Sequence, residues 1–370
     1  MSPRLPTAVE GSAGEIAAKA DSARHAAAVW RRRTVEERVK VLRDLWKALS
    51  ARRLEIRAVV HEETGKPLVE VDLMELGAAG LLVDWMTAAA PRILGDKAAS
   101  KPWSLFNKRA YERRVPRGVI GLITPWNMPF LIPFGDAFAA MLAGNAVLLK
   151  PSEWTTKTAL WLETAVTATS LLPTGLLSVV PGGAAAGEAV IDASDMTVFT
   201  GSTKTGRAVA VRAAGQLKPV ILELGGKHPM IVLADASLER AAAAAVWAGF
   251  SNAGQVCVGG ERVFVEGATD ADFCSGTRVL YDVLPRAEPG MRVVVVVLVV
   301  MDVVLRAWIC AGTAPIFVSS SVSRTSSAVV QRQRGKPSAA RVVGRARKRC
   351  AISFMEPTLS PVASSRQCGA

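Results

Sequence analysis

Cys257 lies among small and turn-forming residues in FSNAGQVCVGGERVFV, residues 250–265. Glycine and small side chains let a backbone approach a bound molecule closely, so a thiol in such a run is displayed rather than packed. A single cysteine by itself reads as a small buried hydrophobe, because free cysteine is among the most buried residue types. Two further stretches argue for chemistry. LELGGK, residues 222–227, places Glu223 34 positions upstream of Cys257, and TPWNMP, residues 124–129, supplies Asn127. Nucleophile, carboxylate and amide donor are the three parts that acyl transfer needs: a thiolate to attack, a donor for the developing oxyanion, and a base to activate water.

These residues need a frame, and the hydrophobic pattern supplies one. Residues 13–90 read as helices with core-facing stripes and basic solvent faces, and nothing there points to chemistry. Thr34 and Glu37 form a capping-box pair ahead of Val41, Leu42, Leu45 and Leu49. Gly65 and Pro67 break the pattern, and a helix over residues 68–89 ends before Pro91. Residues 98–116 are basic and contain strand. From Val119 the texture alternates between strand and helix. VIGLI, AVLLK, LLSVV, MTVFTG, PVILEL and MIVLA read as strands, with helices between them at residues 134–142, 155–171, 184–191 and 205–214, and another at 238–248. Short apolar β-branched runs separated by helices indicate an α/β fold with a parallel sheet covered on both faces. Ligands in such sheets sit at the carboxyl ends of the strands. Trp126, Lys150, Gly201 and Glu223 are expected to close strands there.

Each of these positions has an ordinary alternative. GSTKTG at residues 201–206 is half of a P-loop, but Arg207-Ala208 replaces the Lys-Ser/Thr pair, which argues against triphosphate hydrolysis. A strand-to-helix turn of this kind still suits a pyrophosphate, and Ser202 is otherwise a plain helix N-cap. Lys150 is otherwise a snorkelling lysine at a strand end, and Glu153 a first-turn carboxylate. Met128, Phe130 and Trp247 suit either a substrate channel or core packing.

ITPWNMPF, LLKPSE, FTGSTKTGR, LELGGKHP and FSNAGQVCVGGERVFV, in that order, resemble the aldehyde dehydrogenase superfamily in its semialdehyde and general aldehyde branches, over roughly residues 15–266. The resemblance implies a Rossmann-like dinucleotide-binding domain, a second catalytic α/β domain that is incomplete here, and a short β-hairpin of the oligomerisation type. Its implied divisions are residues 1–97 and 117–228 for the dinucleotide domain, 98–116 for the hairpin, and 229–268 for the start of the catalytic domain. It implies Cys257, Glu223 and Asn127 as catalytic residues in the oxidation of a small-molecule aldehyde to an acid. Thr124, Trp126, Lys150, Ser152, Glu153, Gly183, Gly187, Gly201, Ser202 and Leu224 would bind the cofactor. A carboxylate at Glu153 near the ribose favours NAD, with NADP the alternative. A homo-oligomer is the family's habit.

The formal charge of +13 invites thoughts of nucleic acid, but residues 269–370 hold 14 Lys and Arg against 6 Asp and Glu, so most of the surplus lies in the tail, notably the basic cluster 341–349. No nucleic-acid partner is expected. Five cysteines without a C-x-x-C pair and three scattered histidines, His25, His61 and His228, predict no metal site and a reducing cytoplasm. MSPRLPTAVEGSAGE lacks a signal-peptide core. The apolar run 293–301 falls short of the ~20 residues of a bilayer-spanning helix, so no membrane partner is expected. From residue 269 the resemblance lapses and the family's Glu-x-Phe-Gly-Pro motif is absent. A disrupted reading frame near residue 268, recovered around 345, is the expectation for this tail. It leaves a second function class open: a non-catalytic remnant that at most binds NAD.

Overall fold

The computed structural model describes residues 11–266 apart from Lys101, and these divide into two compact units that meet in sequence at Gly225 and Gly226. The expectations for the tail, including the frame disruption, the apolar run 293–301 and the basic cluster, lie outside the described residues.

The first unit opens with helices. α1 (Ala13–Trp30) and α2 (Val35–Ala51) each begin at a reciprocal capping box, Ser12 with Glu15 and Thr34 with Glu37, so the expected signal at Thr34 is realised. α2 buries Leu42, Leu45 and Leu49. α3 (Arg53–Thr64) stops at Gly65, whose φ of 69° lies in the left-handed region that glycine tolerates. α4 (Leu68–Glu70), a π-helical turn over Val71–Gly77 and α5 (Ala78–Leu94) then follow as one continuous run. Two features depart from the expected helix over 68–89. The π turn has no sequence signal, and α5 continues through Pro91. Proline here falls in the final turn, where one forfeited bond is tolerable, and the helix closes as Gly95 N–H donates to Pro91 O at 3.1 Å. The run Leu68–Leu94 is long and apolar enough to cross a bilayer by length and composition, yet half of its most apolar window is buried, and α5 packs on α2 and α6 (Leu131–Leu142).

Between the helices and the sheet, β1 (Lys97–Ala98) pairs antiparallel with β2 (Tyr111–Glu112), the strand expected within 98–116. The sheet itself comprises β3 (Val119–Ile123), β4 (Ala146–Lys150), β5 (Leu177–Val179), β6 (Met196–Gly201) and β7 (Val220–Leu224). All are parallel, in the order β5-β4-β3-β6-β7. Helices α6, α7 (Thr156–Ala168), α8 (Ala184–Ala193) and α9 (Thr203–Gly215) make the crossovers. α6 and α7 cover one face, backed by α2, α3 and α5, while α1, α8 and α9 cover the other. Winding reverses between β3 and β6, which makes their carboxyl ends the switch point where a doubly wound sheet binds its ligand.

Aromatic residues fill the α6 face. Phe130, Phe134 and Phe138 recur every fourth residue with ring centroids 5.3 and 5.6 Å apart, and Trp46 meets Phe134 at 5.2 Å. Trp30 is wholly buried, its indole N–H donating to Met141 O at 2.7 Å. Polar locks fix the start of β3. Asn145 Oδ1 accepts from Arg117 N–H at 2.7 Å and Gly118 N–H at 3.0 Å, while its amide donates to Ala140 O at 3.1 Å. Asp195 Oδ2 accepts from Val119 N–H at 2.8 Å and pairs with Arg24. Gly118 must be glycine: its φ is 126°, and a Cβ would stand 2.3 Å from Asp195 Oδ2.

Edge strand β5 is guarded. Leu176 O and Val180 N–H bond to β4, so alternation turns the peptide groups of Val179 outward. Glu163 Oε1 accepts the Val179 N–H at 2.8 Å, and Lys19 Nζ donates to the Val179 carbonyl.

The described part of the second unit is one β-α-β element. β8 (His228–Val232) and β9 (Gly260–Val265) lie parallel, joined through α10 (Leu238–Phe250). MIVLA is thus a strand, but it belongs to this separate pair and not to the five-stranded sheet. Val232, Ala242, Ala245 and Val263 form its core.

Replacement Asn145→Ala strands two backbone donors and one acceptor, so destabilisation by about 1–3 kcal/mol is expected in urea or guanidinium unfolding, with the m-value unchanged.

Candidate active site

Most of the expected cofactor residues lie at the carboxyl edge of the five-stranded sheet. Thr124 extends β3 by one bond, its N–H donating to Lys150 O at 3.1 Å, and its buried hydroxyl has no hydrogen-bond partner. Trp126 does not close a strand. β3 ends at Ile123, and Trp126 stands in the following turn with 43% of its surface exposed, because Pro125 cannot donate to a ladder. Lys150 ends β4 as expected. It is buried, and its ammonium stands 3.5 Å from Glu153 Oε2, which is exposed on the short turn Glu153–Thr155. Ser152 is buried and caps that turn by accepting from Trp154 N–H at 3.3 Å.

Gly183 is the N-cap of α8 and its carbonyl accepts from Gly187 N–H at 3.2 Å, so both expected glycines shape one helix start. Gly201 ends β6 where a Cβ would meet the Phe199 ring at 2.7 Å, and Gly206 lets α9 approach Leu224, whose Cδ2 would lie 2.6 Å from an added Cβ. Ser202 is a working N-cap, accepting from Thr205 N–H at 3.2 Å, so the ordinary reading of its hydroxyl is realised. Leu224 closes β7 and is half-buried.

Glu223 is the penultimate residue of β7, and burial raises its carboxyl above the ordinary value. Asp136 is the one charge on the otherwise apolar α6. Burial first, then the charge of Glu223, pushes its carboxyl up to about 7. Asp136 carries no motif, and its one signal in the sequence is that it is a lone carboxylate in LIPFGDAFAAML.

Asn127 follows Trp126 in the turn before α6 and is half-buried. Its carbonyl accepts from Lys66 Nζ at 3.0 Å. Lys66 pairs with Glu75 at 2.5 Å, both side chains at 1% exposure or less, and Glu75 Oε2 accepts from Phe130 N–H at 3.1 Å and Leu131 N–H at 2.7 Å. The helical region was expected to carry nothing but packing and solvent faces. That expectation fails here, because these two charges turn inward and hold the Asn127 turn. Of the residues weighed for a substrate channel, Met128 and Phe130 are buried in the core, while Trp247 is half-buried.

Cys257 belongs to the second unit, where its side chain is exposed. The approach to it is strained at Ala253: Asn252, Ala253 and Gly254 have φ of 53°, 55° and 75°, a left-handed region that glycine and, less readily, asparagine tolerate and alanine does not. Beyond it, Gly259 and Gly260 lie against α10; a Cβ on either would come within 3.1 Å of Ala248. The glycine pair thus lets the loop lie flat on the helix and leaves the thiol outside. Arg262 donates to Lys227 O at 2.8 Å, tying β9 to the end of LELGGK.

The aldehyde dehydrogenase family model matches residues 5–284, reaching further at both ends than the motifs alone. A 4,4'-diapolycopene aldehyde oxidase of Methylomonas is 44% identical over 252 residues, 68% of this chain and 47% of that protein. Among solved structures, a Mycobacterium tuberculosis aldehyde dehydrogenase complexed with NAD+ is 32% identical with a TM-score of 0.67, over 73% of this chain and 56% of its own. An NADP-dependent enzyme of E. coli is 32% identical with a TM-score of 0.67, over 72% and 55%. The chain therefore spans about half the length of these relatives. With the match covering most of its length, this chain belongs to the aldehyde dehydrogenase family.

Proposed function

We propose that the chain carries the dinucleotide-binding domain and nucleophile loop of an NAD(P)-dependent oxidoreductase that converts an aldehyde to a carboxylic acid. The observation that carries the reading is the exposed thiol of Cys257, held outward by a strained turn and a glycine pair in a chain of this family. Residues 1–97 and 117–228 form the dinucleotide domain in this reading, 98–116 the hairpin of an oligomer, and 229–268 the start of the catalytic domain.

The residues at the sheet edge fit a dinucleotide. Thr124 offers a buried hydroxyl lacking a partner, Lys150 a buried cation beside Glu153, and Gly201 and Ser202 the start of a helix whose first-turn amides suit a pyrophosphate. Trp126, Ser152, Gly183, Gly187 and Leu224 complete this surface. A bound nicotinamide would supply the acceptor for the hydride that leaves the aldehyde carbon. The exposed Glu153 carboxylate repels a 2′-phosphate, which favours NAD in a family whose members use either cofactor.

In the chemical steps, the Cys257 thiolate attacks the aldehyde carbon, and the Asn127 side chain with the Cys257 backbone N–H holds the oxyanion. Loss of hydride leaves a thioester on the sulfur. Glu223, whose carboxyl burial holds above the ordinary value, takes a proton from the water that releases the acid.

Purified chain should reduce NAD with propanal, succinic semialdehyde or decanal, and Cys257→Ala should abolish turnover while dinucleotide affinity stays within about twofold. Dinucleotide binding without turnover in the native chain would select the non-catalytic remnant. Glu223→Gln should retain one burst of reduced cofactor per site and lose steady-state turnover, because only thioester hydrolysis needs the base. Asp136 adds a pH signature. Its folded carboxyl titrates near 7 against an ordinary 3.8, so ionisation in the unfolded chain draws stability away as pH rises from about 4 to 7. Relative to native protein, Asp136→Asn should therefore gain in Tm between pH 5 and pH 8; a constant difference across that range would show that burial does not perturb this group.

A further inference from the structure

We propose that Lys66 and Glu75 are positioning residues for Asn127, a role that rests on the oxyanion-holding reading of Asn127. Lys66 Nζ reaches three atoms: Glu75 Oε1 at 2.5 Å, Asn127 O at 3.0 Å and Met128 Sδ at 3.5 Å. Glu75 spends its other oxygen on the N–H groups of Phe130 and Leu131, the two amides that open α6. One ion pair therefore grips the turn on both sides of Pro129, the ammonium at the peptide leaving Asn127 and the carboxylate at the helix start.

Stability alone is a weak account of this pair. Taking two charges out of water costs nearly as much as their attraction returns, and apolar residues of similar volume often serve a fold as well. What distinguishes these two charges is that each makes bonds to the backbone of the same five residues, 127–131. An oxyanion donor works only within about 2.7–3.1 Å of the position the oxygen will occupy, and a turn left to itself is the most mobile part of a sheet protein. The clamp removes that freedom at the residue that needs it removed. Glu75 also lies within the π-helical turn Val71–Gly77, an interruption that helices adopt frequently at functional sites.

The test is a double-mutant cycle in the full chain. Lys66→Met with Glu75→Gln removes both charges at similar volume and leaves no unpaired ion, and far-UV circular dichroism with thermal unfolding verifies that the variant folds. With the clamp removed, kcat should fall about tenfold or more while dinucleotide affinity stays within about twofold. In an Asn127→Ala background, the same two changes should alter kcat by less than about twofold, because the side chain they position is already gone. Equal losses in both backgrounds, or no loss in either, would overturn the proposal. Hydrogen exchange gives a readout that needs no turnover: the amides of Asn127, Met128, Phe130 and Leu131 should exchange faster in the clamp variant, and unchanged exchange would also overturn it. Failure of the two readings is separable. A native chain with no turnover sinks the oxidation and the clamp's catalytic role together, whereas native turnover with an additive cycle sinks the clamp alone.

Discussion

Carboxylates bonded to backbone N–H groups hold the first unit in register. Glu63, on α3, accepts from Lys157 and Thr158 N–H at 2.6 and 2.8 Å and so caps α7. Glu75 does the same for α6, and Asp195 for the first residue of β3. A helix start carries unsatisfied donors and the positive end of a dipole, so a carboxylate supplied from elsewhere in the chain satisfies both at once. Two of these three come from the helical segment that precedes the sheet. That segment is therefore a set of supports for the β-to-α turns, and those turns are where Asn127 and Ser152 sit.

Close approach is the second constraint. Gly201, Gly206, Gly259 and Gly260 stand where an added Cβ would press on a ring, a side chain or a helix backbone. Omission of a methyl group at each point lets strand, loop and helix come within contact of their neighbours. In the second unit the same economy leaves Cys257 outside the packing.

Much of the first unit was legible in the amino-acid pattern. VIGLI, AVLLK and MTVFTG are strands within a residue of their expected bounds, because an apolar β-branched run between turn residues has few other outcomes. Thr34 and Glu37 announced their helix for an equally local reason. What the pattern hid was tertiary. Lys66 and Glu75 carry the residue types of a solvent face, and only the fold reveals that both point inward to satisfy backbone groups some sixty positions away. The continuation of α5 through Pro91 was hidden likewise, since packing on α2 and α6 outweighs one lost bond. MIVLA read correctly as a strand, but its period carries no information about which sheet it joins.

The outward peptide of Val179 bears on how the molecule behaves while it is being made. A bare sheet margin is a template on which another polypeptide can lay itself, the first step towards fibrils and amorphous precipitate. Here the margin is occupied by a lysine and a glutamate from two different helices, α1 and α7. Because both helices are encoded before β5, they emerge from the ribosome ahead of the strand they guard. The vulnerable border can thus be sealed almost as soon as it forms, without waiting for the rest of the sheet.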